Sequence, residues 1–118
     1  MPGNADFIET VLLVPREGMG SAPPDLQMTL IDKYLGLLLE SNSLPAAICF
    51  YAEGVKLTVQ GSPVLERLRE IESRGTRLIV CSTCVDYFGL REKVRAGVVG
   101  GMPDIIDAQL RAEKVITL

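Results

Sequence analysis

Short apolar runs rich in β-branched residues alternate along this chain with longer segments of helical spacing, and that alternation admits few folds other than a parallel α/β sheet. The runs fall at residues 7–14, 46–51, 76–81, a very short one within 97–101, and 114–118. The second run, Ala46-Ala47-Ile48-Cys49-Phe50-Tyr51, is apolar at every position, as an inner parallel strand covered on both faces should be. Five strands and four or five helices follow from this reading.

Helix boundaries are marked by proline and glycine. Pro23-Pro24-Asp25 opens the first helix. Its Leu26, Leu30, Tyr34, Leu37 and Leu38 form one stripe, which Ile31, Leu35 and Leu39 widen. So wide an apolar face predicts burial on two sides, against the sheet and against another subunit. Ser62-Pro63 supplies an N-cap and a first-turn proline for the second helix, whose Val64, Leu65, Leu68 and Ile71 face inward until Gly75 stops it. A short helix over 85–88 is broken at Gly89, and another is expected over 90–96. Pro103 starts the last helix, with Ile105, Ile106 and Leu110 directed inward.

With 118 residues, 47% of them hydrophobic and 23% charged, the chain suits one domain over 1–118 with a substantial core. It contains no histidine, which excludes a Ser-His-Asp triad, a Cys-His protease and His-ligated zinc within the chain. Three cysteines fall short of a four-cysteine zinc or iron–sulfur site in one subunit. No metal and no cofactor is expected. A net charge of −3 argues against nucleic acid as a partner. No apolar run reaches the length of a membrane span, and the start Met1-Pro2-Gly3-Asn4 lacks the basic beginning of a secretory signal. An odd number of cysteines, two of them in a C-x-x-C, fits a reducing compartment, so a cytoplasmic location is expected.

Chemistry concentrates on Cys81 and Cys84. Parallel sheets bind ligands beyond the carboxyl ends of their strands, and these two cysteines lie at the end of the third run and in the first turn of the following helix, with Ser82 and Thr83 between them. Backbone amides and the helix dipole there favour a thiolate, which predicts a thiol pKa below the ordinary value. The alternative is that the cysteines are small core residues, the reading that suits Cys49 inside its apolar run. The Gly18-Met19-Gly20-Ser21 turn follows the first strand, where amides can cradle an anion or simply close a turn, with Met19 as an apolar lid. It matches neither the dinucleotide nor the P-loop fingerprint. Lys56, with Glu53, lies at the same sheet edge and either steadies a thiolate or sits in a solvated turn. Gly100-Gly101 permits close backbone approach, for a pocket or a tight turn.

The segment Val80-Cys81-Ser82-Thr83-Cys84-Val85-Asp86-Tyr87-Phe88-Gly89-Leu90 resembles the Cys-Gly-Thr-Cys-Leu-Asp-Tyr-Tyr-Gly-Leu signature of the DsrE-like sulfur-relay superfamily. Gly54-Val55-Lys56-Leu57, Gly61-Ser62-Pro63-Val64-Leu65 and the Lys114-Val115-Ile116-Thr117-Leu118 ending are similar to the C-terminal domain of YedF-type selenium-metabolism proteins. The resemblance implies a three-layer α/β/α sandwich with a five-stranded, mostly parallel sheet, in a homo-oligomer such as a trimer or hexamer. It also implies persulfide sulfur carried on Cys81, eight residues before Gly89, with Cys84 as the second cysteine. The resemblance covers the C-terminal domain of YedF-type proteins and not their N-terminal one, so donor and acceptor are expected to be separate proteins, a TusA-like protein among them. Two motifs depart from that branch. Ala52-Glu53 stands where it often has Asn-Ser, and Gly101-Met102-Pro103 where it tends to have Asn-Met-Tyr.

Three functions remain open at this point. The first is a sulfurtransferase or sulfur carrier that accepts sulfane sulfur as a cysteine persulfide and relays it to a partner. The second is a thiol–disulfide redox protein using the same pair. The third is a non-catalytic oligomeric binding module.

Overall fold

The computed structural model describes residues 9–118. Five strands, β1 (Thr10–Val14), β2 (Ala47–Phe50), β3 (Arg77–Cys81), β4 (Val98–Gly100) and β5 (Lys114–Thr117), form one sheet in the order β4-β3-β2-β1-β5. Every pairing is parallel, with Leu12 beside Ile48 and Ile116, and Ile48 beside Leu78. The expected first strand begins at Thr10; its Phe7 and Ile8 lie outside the described residues.

Four α-helices connect the strands: α1 (Pro24–Ser41), α2 (Leu65–Ser73), α3 (Ser82–Tyr87) and α4 (Met102–Arg111). From β1 through β4 the chain steps across the sheet in one direction, so right-handed crossovers put α1, α2 and α3 on one face. The return from β4 to β5 runs the other way and puts α4 alone on the second face. Contacts agree with this arrangement: Arg67 Nε of α2 donates to Asp32 Oδ1 of α1 at 2.7 Å, while Ala108 of α4 lines a crevice with Val11 and Ala47. The layers are therefore α/β/α. Leu12, Ile48, Val80, Val64, Leu68 and Ile71 are completely buried, and the inner strands are buried on both faces as their uninterrupted apolar runs require.

In α1 the sheet covers the side that carries Ile31 and Leu35, at 1% and 2% exposure, and leaves outward Leu26, Leu30 and Leu37 of the wide apolar face. Several other elements differ from the sequence-based expectation. In α4 only Ile105 and Ala108 turn inward; Ile106 is 47% exposed and Leu110 80%. A helix lying alone on a flat sheet buries a single narrow stripe, so its flanking apolar residues stay outside. The second helix starts at Leu65 rather than Pro63, and Ser62 Oγ accepts the Val64 N–H at 3.3 Å.

The helix expected over 90–96 is reduced to one 3-10 turn, Arg91–Lys93. The backbone beyond it has a better partner: the Arg95 and Ala96 N–H groups both donate to the Thr58 carbonyl, and Gln60 N–H donates to the Lys93 carbonyl. Those pairings hold Val94 extended beside Val59. The short helix itself begins at Ser82, immediately after Cys81, rather than at Val85.

Cys49 is fully buried in β2, and burial pushes its thiol up to about 11 from an ordinary 9.0. The unfolded chain loses this proton first, so folding stability falls as pH rises from 9 to 11. Urea unfolding across that window should show a loss of about 2–3 kcal/mol that disappears from the slope, though not from the baseline stability, in Cys49→Ala. Equal slopes in the two proteins would contradict this.

Candidate functional site

The site is built at the carboxyl end of β3. Cys81 ends the strand and caps α3, with extended backbone angles of −64° and 120°, and α3 then carries Ser82, Thr83 and Cys84 in its first turn. Cys81 is 1% exposed, whereas Cys84 is half-buried. Ser82 is half-buried and Thr83 exposed. Both cysteines are free thiols, as is Cys49.

A segment from the next crossover completes the site. After β2 the chain forms a 3-10 helix, Ala52–Thr58, packed against α3 and burying Val55, Leu57 and Thr58 completely. Ala52, at its first position, has φ +51°, a left-handed conformation that a residue with a Cβ adopts at a cost of about 1–2 kcal/mol. That conformation directs the Ala52 N–H to Cys84 Sγ at 3.0 Å. Gly54 holds the turn in place: a Cβ there would lie 1.9 Å from the Val14 carbonyl oxygen. The same oxygen accepts the Tyr51 N–H at 3.2 Å, so the end of β1 anchors the segment that reaches Cys84. Ala52 is the contributor that residue-type reasoning missed. A signal existed: asparagine, which often stands at this position in the branch the chain resembles, is among the few non-glycine residues that tolerate left-handed backbone.

Electrostatics correct the expected thiol acidity at Cys84. Desolvation raises its pKa, and the Ala52 N–H, which favours the thiolate, offsets this only in part. The neighbouring Cys81 thiol raises it further, by hydrogen bonding and as a second charge of the same sign.

Lys56 is engaged elsewhere. Its Nζ lies 2.6 Å from Glu53 Oε1 and 4.5 Å from the centre of the Phe88 ring, and its pKa is raised chiefly by the hydrogen bond to Glu53. The lysine therefore ties the 3-10 segment to the end of α3 by an ion pair and a cation–π contact. Phe88 in turn packs edge-on against Tyr87 at 5.2 Å, leaving Tyr87 83% exposed beside the site. Asp86 is held below the usual carboxylate range by Arg91, which forks onto it at 2.7 and 2.9 Å.

The glycine-rich turn is closed on itself. Gly18, at φ +138°, leaves no room for a side chain against Gln27; its N–H donates to the Arg16 carbonyl, and Met19 N–H donates to the Gln27 carbonyl. Gln27 Oε1 takes the Ala22 N–H as well. These amides are spent on the turn rather than presented to an anion. Met19, with Gly20 beside it, is half-buried against the core. Gly101 follows Gly100, the register partner of Cys81, and so lies at the same sheet edge. Its N–H is taken by Asp104 Oδ2 at 2.9 Å, which makes it the N-cap of α4. A groove of about 560 Å³ along β4, lined by Glu72, Arg77, Val98 and Asp104, includes neither cysteine. Among the described residues no cluster of acidic and cysteine side chains has the arrangement of a metal site, and no helix is long and apolar enough to cross a membrane.

The model of the DsrE/DsrF-like family matches residues 19–118, which include the whole cysteine site. The chain belongs to that family. Its fold is shared with solved structures at low sequence identity. YchN from E. coli superposes with a TM-score of 0.65 at 17% identity, covering 92% of this chain and 98% of that one. MTH1491 from Methanobacterium thermoautotrophicum, a protein of unknown function, gives 0.67 at 16%, covering 92% and 97%. BT1422 from Bacteroides thetaiotaomicron, a conserved protein of unknown function, gives 0.63 at 14%, covering 97% and 98%. No curated protein sequence matches the chain. The all-parallel five-stranded sheet with helices on both faces is thus the DsrE-like architecture.

Two substitutions separate the roles in the turn. Gly54→Ala should cost about 2–4 kcal/mol in urea unfolding, because the Val14 carbonyl is sheet backbone and cannot give way. Ala52→Gly keeps the N–H and relieves the left-handed strain, so it should be neutral or stabilising by up to about 1 kcal/mol. A tolerated Gly54→Ala would refute the close approach.

Proposed function

We propose that this DsrE/DsrF-like chain, acting as a single domain over 1–118, is a sulfur carrier that accepts sulfane sulfur as a persulfide on the Cys81/Cys84 pair and relays it to a protein partner. The observation that carries the reading is the pair itself: two free thiols at the carboxyl end of β3, one of them on a half-buried residue with its sulfur held by a backbone N–H. A thiolate attacks the outer sulfur of a donor persulfide, forming a new S–S bond as the donor leaves as a thiolate. No proton-shuttling base is needed, which suits a chain without histidine. Family membership supports the sulfur-relay setting. The partners are a sulfur donor and a sulfur acceptor, and a reducing, cytoplasmic compartment keeps both thiols available.

We also propose that the protein works as a homo-oligomer. The outward leucines of α1, Leu26, Leu30 and Leu37, are 46%, 37% and 60% exposed along one helix, an apolar surface that a second subunit would cover.

Incubation with a low-molecular-weight persulfide, followed by intact-mass measurement, should show a one-sulfur adduct on the native protein and none on the Cys81→Ala/Cys84→Ala double variant. An unmodified native protein that nevertheless turns over a model disulfide would replace the carrier by a thiol–disulfide oxidoreductase. Light scattering at micromolar concentration should give a mass above the 12.8 kDa of one chain, reduced toward it by Leu30→Glu and Leu37→Glu together. A monodisperse native monomer would refute the assembly.

A further inference from the structure

We propose that Cys84, and not the strand-terminal Cys81, is the thiol that takes the incoming sulfur, and that Cys81 is the resolving thiol that later expels it. The inference rests on the sulfur-carrier reading and assigns the order of the two sulfurs within it. Access decides the first step. A donor persulfide must bring its outer sulfur into line with the attacking thiolate, and Cys81 is buried at 1% exposure, while Cys84 is only half-buried. A backbone donor is also aimed at the Cys84 sulfur, the Ala52 N–H at 3.0 Å. That N–H favours the thiolate and, once the persulfide forms, helps hold the inner sulfur. Its left-handed backbone is maintained by the contact of Gly54 with Val14, so the donor is in place before any partner arrives.

The sequence of bonds is balanced. Cys84 thiolate attacks the outer sulfur of the donor persulfide; the Cys84 Sγ–S bond forms, the donor S–S bond breaks, and the donor leaves as its thiolate. Cys81 is the N-cap residue of α3 and Cys84 lies three residues on, in its first turn, a spacing that puts the two side chains side by side; Cys81 then attacks Cys84 Sγ. The Cys81–Cys84 disulfide forms, the Cys84 Sγ–S bond breaks, and the terminal sulfur leaves as hydrosulfide carrying the electron pair and the Cys81 proton. The two cysteines are oxidised and the sulfane sulfur is reduced. When an acceptor nucleophile is present it takes the terminal sulfur instead, and the disulfide does not form. A dithiol reductant returns the disulfide to the starting state.

The test uses the whole protein and a low-molecular-weight persulfide, with the adduct trapped by alkylation and located by peptide fragmentation. In native protein the first-formed adduct should map to Cys84, followed by hydrosulfide release and a product two hydrogens lighter than the starting protein. Cys81→Ala should keep the adduct and lose hydrosulfide release; Cys84→Ala should form no adduct. Mapping in the native protein decides the order even if a variant fails to fold. An adduct on Cys81 in native protein, or one retained in Cys84→Ala, overturns the assignment while leaving the carrier reading intact. A persulfide on Cys84 that survives without hydrosulfide release overturns the resolving role of Cys81. The absence of any adduct in native protein defeats the carrier reading itself.

Discussion

The backbone carbonyl of Val14 joins the sheet to the site, because the 3-10 segment 52–58 closes down on it without an intervening side chain. Val14 is 1% exposed at the carboxyl end of β1. Its oxygen accepts the Tyr51 N–H, and Gly54 packs so closely that even a methyl group would collide with it. From this anchor the segment buries Val55, Leu57 and Thr58 under the sheet edge and turns its first amide to Cys84. The fully buried inner strands make the anchor rigid, since a packed interior has little room to relax. Precision at the sulfur is therefore inherited from the core rather than from the loop.

Around Cys84 the competing forces are desolvation and a single amide. Burial raises the cost of the thiolate, the Ala52 N–H lowers it, and Cys81 adds to the cost. The nearby cation does not enter this balance, because Lys56 is neutralised by Glu53 and lies over Phe88. A thiol of raised pKa is a stronger nucleophile once ionised, although a smaller fraction of it is ionised at neutral pH.

The layering has its own asymmetry. Stepping from β1 to β4 in one direction stacks α1, α2 and α3 on one face and leaves α4 by itself on the other. On the first face Arg67 crosses from α2 to Asp32, over Gly36, whose missing side chain gives the guanidinium its place. Apolar residues remain outside on both layers, at Leu37 of α1 and at Ile106 and Leu110 of α4. Amphipathic spacing shows that a helix has an apolar side; it does not show how much of that side the neighbouring layer can cover.

The order of strands and helices, the parallel class of the sheet and the position of the Cys81/Cys84 pair were all legible in the sequence, because each depends on local periodicity, turn residues and strand-end placement. The absence of histidine likewise narrowed the chemistry without any coordinates. What the tertiary structure decided depends on groups far apart in the chain. The segment after Arg91–Lys93 became extended because Thr58 and Gln60 offered backbone partners. The glycine-rich turn spent its amides on Arg16 and Gln27, and Gly101 gave its N–H to Asp104. The thiol pKa moved up, against the expectation from strand-end placement, because burial outweighs one hydrogen bond. Ala52 became part of the site through its backbone alone, and a backbone amide's direction is set by packing, which residue type does not encode.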